Sequence, residues 1–213
     1  DGYHTSFDGA LVSNPKLKKE VYANPLSDRL VEQIIDFTHD SGINIELYSD
    51  KRLFIEKETW SAEVRRHVFG TQPVVGDFAK IDREERIIKG TIVARSPEEK
   101  AKAEHLYSHF DGNVTFSVNR TPAFPGVDFV NVLAPGVSKG KALESLIAFM
   151  RISMSEVMAI GDGSNDASLF SRVGVAVAMG DASDELKDMA HHVTLDAEHS
   201  GVAEAVKRIL LAH

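Results

Sequence analysis

Residues 157–166 read Val-Met-Ala-Ile-Gly-Asp-Gly-Ser-Asn-Asp. The first four are uniformly apolar, as a parallel strand covered on both faces requires. Gly161 breaks the run, and Asp162 to Asp166 follow before apolar residues resume at Ala167. A strand that passes through small and acidic residues into a helix sits at the carboxyl edge of a doubly wound sheet, where such folds bind ligands. Asp162 and Asp166 stand four apart, a spacing at which like charges on a plain helix repel by a few tenths of a kcal/mol. A helix N-terminus offsets that by about 0.3–1 kcal/mol per carboxylate. A hard divalent cation offsets more, because Mg²⁺ takes oxygen ligands. A plainer reading stays open on this segment alone: Asp162 ends a strand while Ser164, Asn165 and Asp166 cap a helix. Two better-known patterns fail. A calcium-binding EF-hand loop begun at Asp162 needs Gly and Glu where Ala167 and Val173 stand. A dinucleotide fingerprint begun at Gly161 needs Gly or Ala where Asp166 stands.

A second segment runs Pro135-Gly136-Val137-Ser138-Lys139-Gly140-Lys141-Ala142. It is not a P-loop, because three residues rather than four separate Gly136 from Gly140 and Ala142 replaces the hydroxyl residue. Ser138 is instead a helix N-cap, which puts Lys139 in the first helical turn. The helix dipole disfavours a cation there by roughly 0.3–1 kcal/mol. An anionic ligand would supply the reason, and a solvated surface lysine is the bland alternative. Taken together, the two segments are expected to place a lysine at one strand end and two carboxylates at the next, on one rim of one sheet. Lysine on a phosphoryl group with carboxylates on Mg²⁺ is the usual equipment of phosphoryl transfer.

The remaining strands fall into two kinds. Residues 43–48 and 113–118 alternate apolar with polar, as in a sheet with one buried face, whereas 157–160 and 173–179 are continuously apolar. Helices are predicted from the Ser27 cap to Gly42, with Leu30, Val31, Ile34, Ile35 and Phe37 on one face, and from Ser96-Pro97 to Asp111-Gly112. One-sided strands interleaved with helices predict a small open-faced α+β unit. From Val127 onward strands and helices alternate, beginning with a helix that carries Leu143, Leu146, Ile147 and Met150, which predicts a doubly wound parallel sheet. The expected layout is therefore α/β in two parts, the α+β unit over 25–120 and the doubly wound parallel sheet over 121–213, with boundaries set by Asn24-Pro25 and by the Pro- and Gly-containing stretch from Arg120 to Gly126.

Bulk composition narrows the function. The chain has 213 residues with a formal net charge of −8, which argues against a nucleic-acid partner. It has no cysteine, so disulfides, thiolate metal sites and cysteine nucleophiles are excluded, as suits a reducing cytoplasm. No apolar stretch is long enough to span a membrane, and residues 1–4 have neither the basic nor the apolar segment of a signal peptide.

The string Gly161-Asp162-Gly163-Ser164-Asn165-Asp166 resembles motif IV of the haloacid dehalogenase superfamily. Ser138-Lys139-Gly140 resembles the motif III lysine of its Cof-type branch. Val177-Ala178-Met179-Gly180-Asp181-Ala182 is similar to the Val-Ala-Met-Gly-Asn-Ala that follows motif IV there. Phe7-Asp8-Gly9-Ala10 is similar to an Asn-Gly-Ala strand end that precedes the cap. The resemblance implies a Rossmann-like core over 1–24 and 121–213, incomplete at its N-terminus, with a C2-type α+β cap inserted over 25–120, and a Mg²⁺-dependent phosphatase acting on a small phosphorylated metabolite. It implies Mg²⁺ on Asp162, with Asp166 as a ligand or its supporting partner. It also implies Asn165 orienting Lys139 or the phosphate, and Lys139 bridging nucleophile and phosphoryl group. No substrate contact is assigned; Arg65, Arg66, His67 and Lys89 are candidates in the cap.

This sequence departs from the family pattern in several places. Motif I, Asp-x-Asp-Gly-Thr, supplies the nucleophile and the acid/base, and neither it nor the motif II Ser or Thr is found. In Phe7-Asp8-Gly9 the nucleophile's place, two before Asp8, is Ser6. The chain is expected to begin where such a protein is about a quarter complete, and these residues alone are expected to be inactive, because aspartyl-phosphate chemistry needs its aspartate. Asp8 and Asp181 replace a family Asn and add negative charge. Two alternatives stand beside the phosphatase: a non-catalytic fragment that binds Mg²⁺, phosphate or a partner, and a phosphomutase of the same superfamily. An exposed sheet edge is expected to allow self-association.

Overall fold

The computed structural model describes residues 2–82, 84–121 and 123–211. In chain order the strands are β1 (His4–Ser6), β2 (Leu11–Asn14), β3 (Lys19–Ala23), β4 (Glu46–Ser49), β5 (Leu53–Ile55), β6 (Val74–Val75), β7 (Ile87–Ala94), β8 (Thr115–Asn119), β9 (Asp128–Leu133), β10 (Met158–Gly161), β11 (Val175–Ala178) and β12 (His192–Val193). The helices are α1 (Asp28–Asp40), α2 (Trp60–His67), α3 (Pro97–Phe110), α4 (Lys139–Met150), α5 (Ala167–Phe170), α6 (Asp184–Asp188) and α7 (Gly201–Ile209). They form two compact units, one of Asp1–Tyr22 with Ser138–His213 and the other of Ala23–Val137. No helix among the described residues is long and apolar enough to cross a membrane.

In the discontinuous unit, β10, β11 and β12 form a parallel sheet in that order, with Met158 opposite Val175 and Gly161 opposite Ala178. Ala176, Val177 and Ala178 are all fully buried although successive side chains point to opposite faces, so both faces are covered and the strand reads as an unbroken apolar run. Ala159, Phe170, Val173, Ala176, Ala178, Ala182 and Leu186 form one packed cluster that Leu143 of α4 joins. Burying a side chain the size of Leu186 or Phe170 contributes about 1.5–3 kcal/mol. β10 lies at one edge of this sheet. A separate three-stranded sheet, in the order β1-β2-β3, holds an antiparallel β1–β2 hairpin that pairs Ser6 with Leu11 and carries Phe7–Gly9 at its tip.

The continuous unit holds a six-stranded sheet in the order β6-β5-β4-β7-β9-β8, antiparallel except for β5–β6. Its strands alternate as predicted. Leu47, Gly90, Val132 and Phe116 occupy one row, while Glu46, Thr91, Asn131 and Ser117 form the next row on the opposite face. α1 starts at the Ser27 cap, whose hydroxyl accepts from the Leu30 N–H, and meets α3 through Phe37 against His109 and Phe110. α3 starts at a Ser96/Glu99 capping box with Pro97 in its first turn, and packs on β7.

Two expectations change. The second boundary falls between Val137 and Ser138, not at 120, so the insertion runs 23–137 rather than 25–120. The Pro- and Gly-rich stretch before Val127 is the loop of a β8–β9 hairpin, and β9 lies between β7 and β8 instead of opening the core. A central strand shields both backbone edges and buries five of its six residues, so it reads like a doubly wound core strand while belonging to the other sheet. Consequently Lys139 does not follow a core strand: it opens α4 after the loop 134–138.

Candidate active site

The site is built within the discontinuous unit from three segments: the hairpin tip, the start of α4 and the turn after β10. Close approach of the chain fixes the turn. A Cβ on Gly161 would stand 2.6 Å from the Asp166 Cβ and from its Oδ2, so only glycine lets the Asp166 carboxyl fold back over the strand end. There Asp166 Oδ2 accepts the Asp162 N–H at 3.2 Å and the Gly163 N–H at 3.1 Å. Its other oxygen accepts from the Lys139 ammonium at 2.5 Å. Asp166 is 7% exposed at its side chain and Lys139 29%, so the pair is largely shielded and held by charge-assisted hydrogen bonds. This pairing offsets the cost of a cation in the first turn of α4.

Lys139 also donates to Asn165 Oδ1 at 3.1 Å. An ammonium has three donors, and among the described residues these two acceptors are the ones it meets. Ser138 caps α4 by accepting the Lys141 N–H at 3.2 Å, and the Gly140 N–H donates to Ser168 Oγ at 3.1 Å, which ties α4 to the start of α5. The hairpin tip completes the group, with Asn165 Nδ2 donating to Asp8 Oδ1 at 3.1 Å.

That tip is conformationally costly. Phe7, Asp8 and Gly9 have φ of 53°, 54° and 102°. Left-handed backbone at a non-glycine residue costs on the order of 1–3 kcal/mol, least for Asp and Asn. At Gly9 a side chain is excluded twice, by its φ and because a Cβ would lie 2.4 Å from the Ser138 carbonyl oxygen. The tip is thus packed backbone to backbone on the residue that precedes Lys139.

A groove of about 360 Å³ opens beside this group, lined by Thr5, Asp8, Gly9, Lys139 and Asp166 and by apolar residues of β10 and α4. Asp162 does not line it. Its carboxylate is exposed, forms no side-chain hydrogen bond among the described residues, and connects to the groove through its own N–H on Asp166. The structure thus brings Lys139, Asn165 and Asp166 into direct contact and leaves Asp162 facing outward. Asp166, expected as ligand or support, has both oxygens engaged by protein donors. Asp181 is exposed and makes no side-chain hydrogen bond among the described residues.

Asp8 is the residue whose role the motifs did not reveal. It stood out in the sequence only as a departure from Asn, and its contact with Asn165 spans 157 positions.

Among the described residues no group of three or more His, Asp or Glu side chains could hold a metal. Mg²⁺ is commonly held by one or two carboxylates, waters and substrate phosphate oxygens. An uncommitted carboxylate at a strand end fits one such position, so Asp162 is the residue that would hold the ion.

In the continuous unit, Arg65 is held by the buried Glu46, at 3.1 Å through Nε and 3.0 Å through Nη2, and lies over the Phe129 ring at 5.2 Å. Glu46 also accepts from Ser61 Oγ at 2.8 Å and Tyr48 Oη at 2.6 Å. Burial, then the Glu46 carboxylate, pushes the Tyr48 phenol well above its usual range, so it stays a donor. Arg66 pairs with Glu58, the His67 ring meets the Glu63 carbonyl at 2.9 Å, and Lys89 lies over the Tyr48 ring at 5.0 Å. A larger cavity of about 680 Å³ in this unit, lined by His39, Glu46, Glu56, Trp60 and others, holds none of these four candidates.

A family model described as haloacid dehalogenase-like hydrolase matches residues 1–206. The phosphoglycolate phosphatase of Methanothermobacter thermautotrophicus is 44% identical over 81 residues, 38% of this chain and 37% of that protein. Phosphoglycolate phosphatase 1 of Saccharolobus solfataricus is 32% identical over 160 residues, 75% of this chain and 56% of that protein. In both cases the chain spans less than two thirds of its relative. A crystal structure of a haloacid dehalogenase-like hydrolase from Bacteroides thetaiotaomicron superposes with a TM-score of 0.82 at 25% identity, covering 98% of this chain and 77% of that one. By motif, fold and family match, the chain belongs to the haloacid dehalogenase-like hydrolases, as its Cof-type motifs imply.

Proposed function

We propose that these residues form the phosphate-gripping part of a Mg²⁺-dependent phosphomonoester hydrolase for a small phosphorylated metabolite. The observation that carries this reading is the Lys139 ammonium, fixed between Asn165 Oδ1 and Asp166 Oδ1 with one donor left over beside a groove. A shielded cation held at fixed orientation is worth more to a developing phosphoryl charge than a solvated one, because no reorganisation is needed at the moment of reaction. Two relatives named as phosphoglycolate phosphatases support a small phosphorylated substrate.

In this mechanism a carboxylate nucleophile attacks phosphorus, the alcohol departs with a proton from a general acid, and water cleaves the aspartyl phosphate to release inorganic phosphate. Neither the nucleophile nor the acid occurs among the 213 residues in the family's motif, so these residues alone are expected to bind without turnover. Lys139 would neutralise the phosphoryl oxygens, and Asn165 and Asp166 would hold it in place. Mg²⁺, carried on Asp162, would supply further charge neutralisation.

Phosphate release by the full-length protein with Mg²⁺ tests this directly. Lys139→Ala is expected to lower kcat by roughly 10²–10³, and Asp162→Ala to raise the Mg²⁺ concentration required. Hydrolysis that survives undiminished in Lys139→Ala would sink the assignment. A second reading, a binding module without turnover, predicts that the full-length protein releases no phosphate.

A further inference from the structure

We propose that His191 is an acid-released latch that holds the start of β12 on β11 only while its imidazole is neutral. Ala176 lies in β11, the middle strand of the parallel sheet, and is fully buried. Its carbonyl accepts the His191 N–H at 2.9 Å, and its own N–H donates to Nδ1 of the His191 ring, also at 2.9 Å. His191 thus takes up both backbone groups of Ala176, one with its main chain and the other with its side chain. A parallel ladder ordinarily supplies a carbonyl to such an N–H. Here regular pairing starts one residue later, with Val177 opposite His192 and Ala178 opposite Val193. The Ala190 N–H is still engaged in the turn that closes α6, on the Lys187 carbonyl at 3.1 Å. The ring stands in for the missing carbonyl.

That bond fixes where the ring proton sits. A backbone N–H only donates, so Nδ1 keeps its lone pair and the proton is on Nε2. An imidazolium has a proton on both nitrogens and no acceptor. Charging His191 in the folded chain therefore turns two donors toward each other and leaves the Ala176 N–H unmet inside the sheet. Charging it in the unfolded chain breaks nothing. The unfolded chain takes up this proton more readily, so the latch holds while the ring is neutral and is lost as pH falls. His191 is exposed, so protons reach it directly. The charged groups nearby do not hold the ring in its charged form. β11 packs on β10, β12, α5 and α6. β10 and α5 carry no titratable side chain, β12 carries His192, and α6 carries Asp184, Glu185, Lys187 and Asp188. From α7, Arg208 shares a small cleft with His192 and pairs with Glu204. Among the described residues none of these groups bonds to or pairs with the His191 ring, whose one side-chain hydrogen bond is to Ala176.

Amide hydrogen exchange in the full-length protein tests the latch and needs no turnover. Protection of the Ala176 amide, taken relative to its intrinsic exchange rate, is expected to fall about ten-fold or more between about pH 7.5 and about pH 5.5, the range in which an imidazole changes charge. His191→Asn puts an amide oxygen where Nδ1 stands and does not titrate, so protection there should change by less than about two-fold over the same range. His191→Ala offers no acceptor and should show low protection at both pH values. Wild-type protection that does not change with pH overturns the proposal. So does a His191→Asn variant that loses protection as wild type does, or a His191→Ala variant as protected as wild type at neutral pH. Should the variants fail to fold, the wild-type ring decides. Nitrogen NMR at neutral pH is expected to show the proton on Nε2 and a scalar coupling across the bond from the Ala176 amide to Nδ1. A proton on Nδ1, or no coupling, overturns the latch.

Discussion

Replacing Asp166 by Ala tests the physical core of the site. The side chain is 7% exposed and accepts three hydrogen bonds, from Lys139 Nζ at 2.5 Å and from the Asp162 and Gly163 N–H groups at 3.2 and 3.1 Å. Breaking a fully buried ion pair by deleting one partner costs about 3–5 kcal/mol, but Lys139 is 29% exposed and can regain water, so its share is nearer 1–2 kcal/mol. Each turn N–H that loses its carboxylate acceptor adds about 1 kcal/mol. The expected destabilisation is therefore about 3–4 kcal/mol. Asp166→Asn keeps shape and one acceptor oxygen but turns a donor toward either the ammonium or the N–H pair, for about 2 kcal/mol. Native-state hydrogen exchange at the amides of β11 reads the stability of this unit, where a single probe could report only the other one. A change below about 0.5 kcal/mol for Asp166→Ala would refute the claim that this carboxylate holds the turn and the lysine together.

Three further outcomes are expected. Gly9→Ala should lose about 3 kcal/mol or more in the same exchange measurement, since the Cβ would lie 2.4 Å from the Ser138 carbonyl oxygen at a φ of 102°. Glu46→Ala, which leaves the 14% exposed Arg65 facing no counter-charge, should destabilise the continuous unit by about 3 kcal/mol in urea unfolding followed by Trp60 fluorescence, and Glu46→Leu with Arg65→Met should recover much of it. Asp128 accepts from Arg120 at 2.5 Å and pairs with Lys100 at 3.2 Å; the Arg120 bond first, then Lys100, holds its carboxyl below the usual 3.8. Its stabilisation is accordingly present above the unfolded value and lost as pH falls through the lower folded one. Asp128→Asn should cost at most about 1 kcal/mol at neutral pH, because Arg120 is 75% exposed, and wild type and variant should converge in stability toward acid pH.

The sequence alone determined whatever depends on neighbours along the chain. The caps at Ser27, Ser96 and Ser138 follow from side-chain hydroxyls reaching N–H groups three residues on, and α1, α3 and α4 begin there. The unbroken apolar runs of β10 and β11 marked a strand pair covered on both faces, and the run 161–166 marked the turn that closes on Asp166. Pairing decided the rest. β9 looks like a core strand because five of its six residues are buried, and only its registers with β7 and β8 assign it to the inserted unit. Lys139 reaches Asp166 across 27 positions and Asp8 reaches Asn165 across 157, distances over which local composition carries no information about contact. Lys139 and Asp166 are oriented by packing, which let Asp166 turn both oxygens to protein donors and left Asp162 outward. A carboxylate's role follows from which donors surround it, and that arrangement exists only in the folded chain.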